Sequence, residues 1–300
     1  MVNIPVNLLE YDRRSKLNEG TGMEIGIVGL GLMGGSLALS LKKLPFVTSV
    51  VGSDHNLEHQ RVALELGLVQ AIVPFETLKK RCDLLFFAVP VDGVLSLLNQ
   101  SVDLAGSDKT LIDLGSTKAL IVDAIPPSIR QNFVAAHPMT GTEHFGPYAA
   151  IEGLYTDKVV VLCDLEHSGE KQRNIALKLF RSIGMQIQTM GAQQHDRHAA
   201  FISHMPHIIS YALANTVLAQ EEKENILTLA AGGFRSMSRL AKSSPNMWED
   251  IFRQNRGNVL EAIELFESEL TTLKEALKKK DYTTLHKEMK EANKLSEIFT

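Results

Sequence analysis

The stretch Ile25-Gly26-Ile27-Val28-Gly29-Leu30-Gly31-Leu32-Met33-Gly34-Gly35-Ser36 constrains this chain more than any other. An apolar run ends in a glycine cluster, and an apolar, helix-compatible segment comes at once after it. Gly29, Gly31 and Gly34 stand at the G-x-G-x-x-G spacing. Gly29 permits the tight turn out of a strand. Gly31, without a side chain, lets the backbone approach a pyrophosphate, and Gly34 lets the helix pack close to the strand. The helix then starts where an anion would sit, with free N–H groups and the positive end of its dipole. A second strand, Ser49-Val50-Val51-Gly52-Ser53, ends at Asp54, twenty residues after Gly34. A carboxylate there can hold a ribose 2′-hydroxyl. The plainer alternative is a glycine-rich turn beside a surface Asp. An Asp followed by His55 and Asn56, with no Arg, selects NAD over NADP, because a carboxylate repels a 2′-phosphate.

The totals narrow the setting. Three hundred residues, 44% hydrophobic and 22% charged, describe a globular chain of about two domains. A net charge of −4 gives no reason to expect nucleic acid or an anionic membrane as partner. The two cysteines, Cys82 and Cys163, are isolated, which fits a reducing cytoplasm and no disulfide framework. No apolar run is long enough to span a bilayer. Residues 1–22 carry charges among their apolar residues and no signal-peptide core, so they read as an N-terminal extension.

From Met23 to about Met190 the pattern alternates strand and helix. The segment 83–89 is almost wholly apolar, as expected of a parallel strand covered on both faces. Further strands are expected at Thr110-Leu111-Ile112-Asp113, at 132–136, at 158–163 and at 185–189. This is an α/β doubly wound (Rossmann) sheet over 23–190. Its ligands belong beyond the carboxyl ends of the strands, next to the residues that come after Val28, Val89, Asp113 and Ala136. After Gly191 strand signals vanish, and 191–300 reads as an all-α helical domain. Within it, Val259, Ile263, Phe266, Leu270, Leu273 and Leu277 recur at spacings of four and three, a narrow apolar seam. Such a seam suits an internal bundle helix, a dimer interface, or both. A helical domain of about 110 residues gains from a second copy, so a homodimer is expected.

Three clusters can do chemistry. In Asp113-Leu114-Gly115-Ser116-Thr117-Lys118, Ser116 offers a hydroxyl at the nicotinamide end of the cofactor, or a helix N-cap. In His137-Pro138-Met139-Thr140-Gly141-Thr142-Glu143, His137 directly follows a sheet strand and can accept a proton near neutral pH. The third is His195-Asp196-Arg197-His198, then Ser203-His204-Met205-Pro206-His207. At roughly 100° per residue, His195 and His198 project one way and His204 and His207 nearly opposite, so no metal site is expected. Pro206 should kink this helix and free a carbonyl. Downstream, Gly232-Gly233-Phe234-Arg235-Ser236-Met237-Ser238-Arg239 reads as a flexible glycine turn. Its guanidinium groups could grip a carboxylate or could simply lie at the surface.

Together these motifs resemble the prephenate/arogenate dehydrogenase family, above all its monofunctional bacterial members. The resemblance runs from about Met23 to Trp248. It rests on the glycine fingerprint, Asp113-x-Gly115-Ser116-x-Lys118, His137-Pro138-Met139-x-Gly141, His195-Asp196, Ser203-His204-Met205-Pro206-His207 and Gly232-Gly233-Phe234. It implies NAD-dependent oxidative decarboxylation of prephenate to 4-hydroxyphenylpyruvate in tyrosine biosynthesis, in a homodimer built through the helical domain. It implies His137 as the catalytic base and Ser116 as its hydroxyl partner, touching both substrate and His137. Arg239, with Arg235 as the alternative one helical turn away, corresponds to the arginine that grips a substrate carboxylate, and His207 lies near the pyruvyl side chain. Ser203, His204, Thr142 and Glu143 complete the expected substrate contacts. The expected cofactor contacts are Gly29, Leu30, Gly31, Leu32, Met33, Gly34, Asp54, Val89, Pro90 and Ser116.

Three other readings stay open on the sequence alone. One is arogenate, which differs from prephenate only in an amino instead of a keto side chain. Another is a two-domain NAD(P)-dependent dehydrogenase of a β-hydroxyacid or an imine, although such enzymes commonly use a lysine base where this chain has histidines. The last is a non-catalytic, NADH-sensing dimer.

Overall fold

The computed structural model describes residues 22–298. Apart from Gly22, the N-terminal extension lies outside the described residues. The α/β part runs β1 (Met23–Val28), α1 (Leu32–Leu41), β2 (Val47–Ser53), α2 (Leu57–Glu65), β3 (Ala71–Ile72), α3 (Phe75–Arg81), β4 (Leu84–Phe87) and α4 (Val91–Asn99). It continues with β5 (Thr110–Asp113), α5 (Ala119–Asp123), β6 (Phe133–Pro138), β7 (Val159–Cys163), α6 (Glu170–Ser182) and β8 (Gln186–Met190). The helical part comes next: α7 (Ala192–Ala199), a π-helical turn (Ala200–His204), α8 (Met205–Leu218), α9 (Lys223–Thr228), α10 (Gly232–Ser238), α11 (Pro245–Gln254), α12 (Arg256–Lys279) and α13 (Tyr282–Ala292).

The strands form one sheet in the order β3-β2-β1-β4-β5-β6-β7-β8. The first six are mutually parallel. Strand β4 shows why its sequence is apolar throughout. Leu84 and Phe86 join one core layer and Leu85 and Phe87 the other, so helices cover both faces. The sheet thus places the ends of β1, β4, β5 and β6 side by side.

Strand β7 departs from the parallel pattern. It pairs antiparallel to β6, with Ala135 opposite Cys163 and Pro138 opposite Val160. A parallel partner would need a crossover to the far edge of the sheet. The connection 139–158 instead returns along the carboxyl edge, with one short 3₁₀ turn at Pro147–Ala149. It is pinned to the start of α1: the Ile151 N–H donates to Ser36 Oγ at 2.9 Å, and the buried Tyr155 hydroxyl donates to the Met33 carbonyl at 2.7 Å. The residues after His137 are therefore carried back over the glycine loop.

The helical part encloses little of its own. Its buried apolar cluster is Ala200, Val259 and Ala262, with Phe201, Met205, Ile208, Phe252 and Ile263 packed partly against it. Helix α8, apolar through most of its length, buries only Ser210. On α12 the seam found in the sequence begins buried at Val259, then emerges, with Leu270 51% and Leu277 55% exposed. The stretch 232–239, expected as a flexible turn, is instead the helix α10 followed by a 3₁₀ turn, Arg239–Lys242. Its two glycines open the helix at its first positions, where they cost less than in a helix interior.

Candidate active site

The glycine loop is built as its spacing demands. Gly29 has φ +92°, and a Cβ there would meet the Ala88 carbonyl oxygen at 2.3 Å. A Cβ on Gly34 would lie 1.9 Å from the Gly29 carbonyl oxygen, so the helix packs directly on the turn. Gly31 differs: the nearest atom to a Cβ there is the Gly146 nitrogen at 3.9 Å, so the backbone faces open space. Helix α1 has neither a side-chain cap nor an acid in its first turn, which leaves its N–H groups and positive dipole end to an anion. Leu30, Leu32 and Met33 surround this opening along the chain. Val89 and Pro90 form its other wall, where β4 ends and Pro90 starts α4. These features fit the pyrophosphate of a dinucleotide.

Asp54 sits at the end of β2 with its side chain only 4% exposed. One carboxylate oxygen accepts the Leu30 N–H at 2.8 Å and the other the Asn56 N–H at 2.9 Å. His59 Nδ1 lies 3.4 Å from the same carboxylate. Each oxygen keeps lone-pair capacity after these bonds. Asp54 thus fastens the glycine loop to β2 as well as presenting acceptors where a ribose would lie.

Beyond β5 a buried ion pair shapes the next loop. Lys118 and Asp113 are both fully buried and joined through Nζ and Oδ2. Lys118 Nζ also donates to the Ala136 carbonyl at 2.9 Å, just before His137. Asp113 accepts the Gly115 N–H at 2.8 Å and the Ala136 N–H at 3.2 Å. One pair therefore fixes both the loop that carries Ser116 and the strand end that carries His137. In sequence, Asp113 and Lys118 are motif residues without a role. An acid at the end of an apolar strand and a lysine five residues on were the available signal.

The ring of His137 is half-buried, and its protein partner differs from the expected one. His137 Nδ1 lies 2.8 Å from His195 Nε2, with the rings edge to face at 5.0 Å between centroids. Ser116 makes no hydrogen bond to His137 or to any other described residue, so the implied Ser116–His137 bond is absent from this structure. His195, projecting from α7, holds Nδ1, and Nε2 has no protein partner among the described residues. Ser116 remains part-exposed beside the ion-paired loop. Burial, then the neighbouring His195 and Lys118, pushes the His137 imidazole well below its usual value. His137 is neutral at pH 7 and able to take a proton.

The histidines of the helical part do not project as a uniform helix would place them. His195 is buried and His198 exposed. The π turn at Ala200–His204 lies between the two histidine pairs. A wider turn absorbs an extra residue and rotates the downstream helix by roughly 100° relative to a uniform α-helix. His204 consequently comes back toward the side of His195. Asn255 Nδ2 donates to the Asp196 carbonyl at 2.7 Å and lies 3.0 Å from His204 Nδ1. Pro206, which lacks an N–H, comes just after the π turn, and burial pushes His204 down to about 4. No metal-binding group of three or more His, Cys, Asp or Glu occurs among the described residues.

His207 stacks on Trp248, with centroids 3.5 Å apart and planes 24° off parallel, and its Nδ1 donates to the Ser203 carbonyl at 2.8 Å. Arg239 Nη1 lies 3.8 Å from Glu143 Oε2. Glu143 comes from the β6–β7 connection, and Arg239 is close enough to His207 to lower its pKa, after burial. The structure thus brings Arg239, Glu143 and His207 together. Arg235 lines a different groove with Leu227, Phe234 and Lys242. Thr142 accepts the His144 N–H at 3.2 Å and so shapes its own loop. His204 is buried behind this group, held by Asn255. Sequence reasoning missed Asn255 and Gln254 entirely. Gln254 Oε1 accepts the Thr117 hydroxyl at 2.8 Å, and Arg253 pairs with Asp92 at 2.8 Å, so α11 ties the two parts together.

Comparison with known proteins agrees with this architecture. The nucleotide-binding domain of prephenate dehydrogenase, as a family profile, matches residues 37–189, and the family's dimerization domain matches residues 191–291. The first match starts after the glycine fingerprint. The chain is 30% identical over 275 residues to the cyclohexadienyl dehydrogenase of Zymomonas mobilis, covering 90% of this chain and 94% of that one. It is 31% identical over 275 residues to the prephenate dehydrogenase of Bacillus subtilis, covering 89% and 73%. Among solved structures, the prephenate dehydrogenase of Aquifex aeolicus with hydroxyphenyl propionate and NAD+ superposes with a TM-score of 0.87 at 29% identity, over 94% of this chain and 100% of that one. The chain belongs to the prephenate dehydrogenase family, as an NAD-dependent oxidoreductase with a Rossmann domain followed by a helical dimerisation domain.

Proposed function

We propose that this protein oxidatively decarboxylates prephenate to 4-hydroxyphenylpyruvate, with His137 as the base. The observation that carries the proposal is the state of that ring. It is neutral, sits at the carboxyl end of β6 on the same edge of the sheet as the glycine loop, and its Nδ1 is held by His195, which leaves Nε2 without a protein partner among the described residues. Prephenate carries a hydroxyl on the ring carbon that loses hydride. NAD, when bound, supplies the acceptor for that hydride. His137 Nε2 takes the hydroxyl proton, so a ring carbonyl forms. The bond to the ring carboxylate then breaks, carbon dioxide leaves, and the ring becomes aromatic. Much of the driving force is the substrate's own, and the protein contributes alignment and a water-poor site. A positioned general base is worth about a hundred- to ten-thousandfold.

In this reading Gly29, Leu30, Gly31, Leu32, Met33 and Gly34 hold the pyrophosphate, Asp54 holds the adenosine ribose, and Val89, Pro90 and Ser116 line the nicotinamide end. Arg239 binds a substrate carboxylate, with His207, Ser203, Thr142 and Glu143 around the side chain. His204 acts from behind, as support. The α/β domain spans 23–190 and the helical domain 191–300. The poorly enclosed α8 and the emergent seam of α12 support a homodimer through the helical domain, in agreement with the family description of that region. Among the described residues no helix is long and apolar enough to cross a membrane, and the reading places the enzyme in the cytoplasm.

The test is NADH formation by the purified protein with prephenate, run beside arogenate and beside NADP in place of NAD. Turnover of prephenate with NAD is the expected result. Turnover of arogenate alone would move the enzyme to the other branch of tyrosine synthesis, and turnover of neither would overturn the proposed reaction.

A further inference from the structure

Two of the most deeply buried polar groups near the cleft take no part in the proton and hydride transfers themselves. His195 is 2% exposed and Asp196 1%. They form a line with His137: His137 Nδ1 to His195 Nε2 is 2.8 Å, and His195 Nδ1 to Asp196 Oδ1 is 2.8 Å. Asp196 is itself held tightly. Its Oδ1 accepts the Lys118 N–H at 2.7 Å and its Oδ2 the Ala119 N–H at 2.9 Å.

The direction of each bond is set by chemistry. Three donors converge on the Asp196 side chain, and an ionised carboxylate can only accept. His195 must therefore carry its proton on Nδ1. A neutral His195 then has a lone pair on Nε2, which can only accept from His137. His137 must in turn carry its proton on Nδ1, and its lone pair lies on Nε2. We propose that His195 and Asp196 are positioning residues that set the tautomer of His137, so that its basic nitrogen is the one left free for the substrate hydroxyl.

This rests on the reading of His137 as the base. When the substrate O–H bond breaks and the His137 Nε2–H bond forms, the new imidazolium keeps donating from Nδ1 to His195, and the Asp196 carboxylate opposes its charge through that ring. No proton needs to pass beyond His137. The other charged or titratable groups facing His137 are Lys118, from the loop after β5, and His204, from the π turn, and both disfavour its protonation. A charged His195 would oppose it too, so it is the Asp196 carboxylate, acting through a neutral His195 that accepts from Nδ1, that offsets the imidazolium charge. An orienting carboxylate behind a catalytic imidazole is a known device of serine proteases. Here a second imidazole is interposed, and it comes from the helical part while the base comes from the sheet.

The experiment compares His195→Met, His195→Gln and Asp196→Asn with the parent, using the full-length protein with NAD and prephenate. Met offers His137 Nδ1 only a weak thioether acceptor. Its kcat is expected to fall about ten- to hundredfold with KM nearly unchanged, and the acid limb of kcat/KM is expected to move to lower pH, because protonated His137 has lost an acceptor. Gln offers Oε1 as an acceptor and is expected to recover most of the loss. Histidine side-chain ¹⁵N NMR reads the tautomer directly: His137 should be protonated at Nδ1 and bare at Nε2 in the parent, and should lose that preference in Asp196→Asn. This spectrum tests the proposal on the parent protein even where a variant folds poorly. A parent spectrum with the proton on Nε2 overturns the proposal, as does a His195→Met enzyme within about twofold of the parent in kcat with the same pH profile. If His137→Asn itself proves nearly silent, the base assignment falls instead, and with it the purpose of the relay.

Discussion

Arg239 and Arg235 lie one turn apart, and sequence alone offered both as the carboxylate ligand. Their surroundings separate them. Arg239 lies beside Glu143 and near His207, whereas Arg235 lines a groove with Leu227 and Phe234. Arg239→Gln is expected to weaken substrate binding by roughly 1.5–3 kcal/mol, the worth of a hydrogen bond to a charged group, read as a raised KM. The same change at Arg235 should leave KM within about twofold, and the reverse pattern would exchange the two roles. Among single residues, the sequence located positions along the chain better than the contacts between them. The place of Gly29, just after β1, and of His137, which lies within the last residues of β6 instead of after it, at the carboxyl edge of the sheet was legible. The His137–His195 contact was not, because His195 lies 58 positions away in sequence and only the folded chain brings it to His137 Nδ1. The Asp113–Lys118 pair was hidden for a similar reason: nothing in a five-residue spacing says that both ends are fully buried.

Among the elements, the glycine loop and α1 were the clearest in sequence, because each glycine answers a separate steric demand. Gly34→Ala tests that reading. A Cβ there would fall 1.9 Å from the backbone oxygen of Gly29, which cannot move without opening the turn. The variant should lose NAD binding, measured by quenching of intrinsic fluorescence or by calorimetry. Normal affinity in a folded Gly34→Ala protein would remove the close-packing role of that residue. Other elements were less legible for specific reasons. The direction of β7 depends on the route taken by 139–158, and an apolar strand reads the same in either direction. Residues 232–238 form a helix despite two leading glycines, since those glycines occupy its first turn. The directions of the four histidines were not legible, because a constant 100° step ignores the π turn ahead of Pro206.

For the whole molecule, the arrangement makes each part incomplete without the other. The sheet supplies His137 and the cofactor loop, while the helical part supplies His195, His207 and Arg239. Thr117–Gln254, Arg253–Asp92 and Asp196 at the start of α5 hold the two in register. The helical part in turn leaves Leu270 and Leu277 open on α12. Leu270→Asp combined with Leu277→Asp is expected to turn a dimer into a monomer in sedimentation or light scattering, and a dimer unchanged at micromolar concentration would move the interface elsewhere. The proposed reaction turns on His137 as the base. The decisive test is kcat of His137→Asn with NAD and prephenate, measured with NAD affinity on the same preparation. A base in this position predicts a loss of about a hundred- to ten-thousandfold in kcat with NAD affinity retained. A kcat within about threefold of the parent would contradict that role.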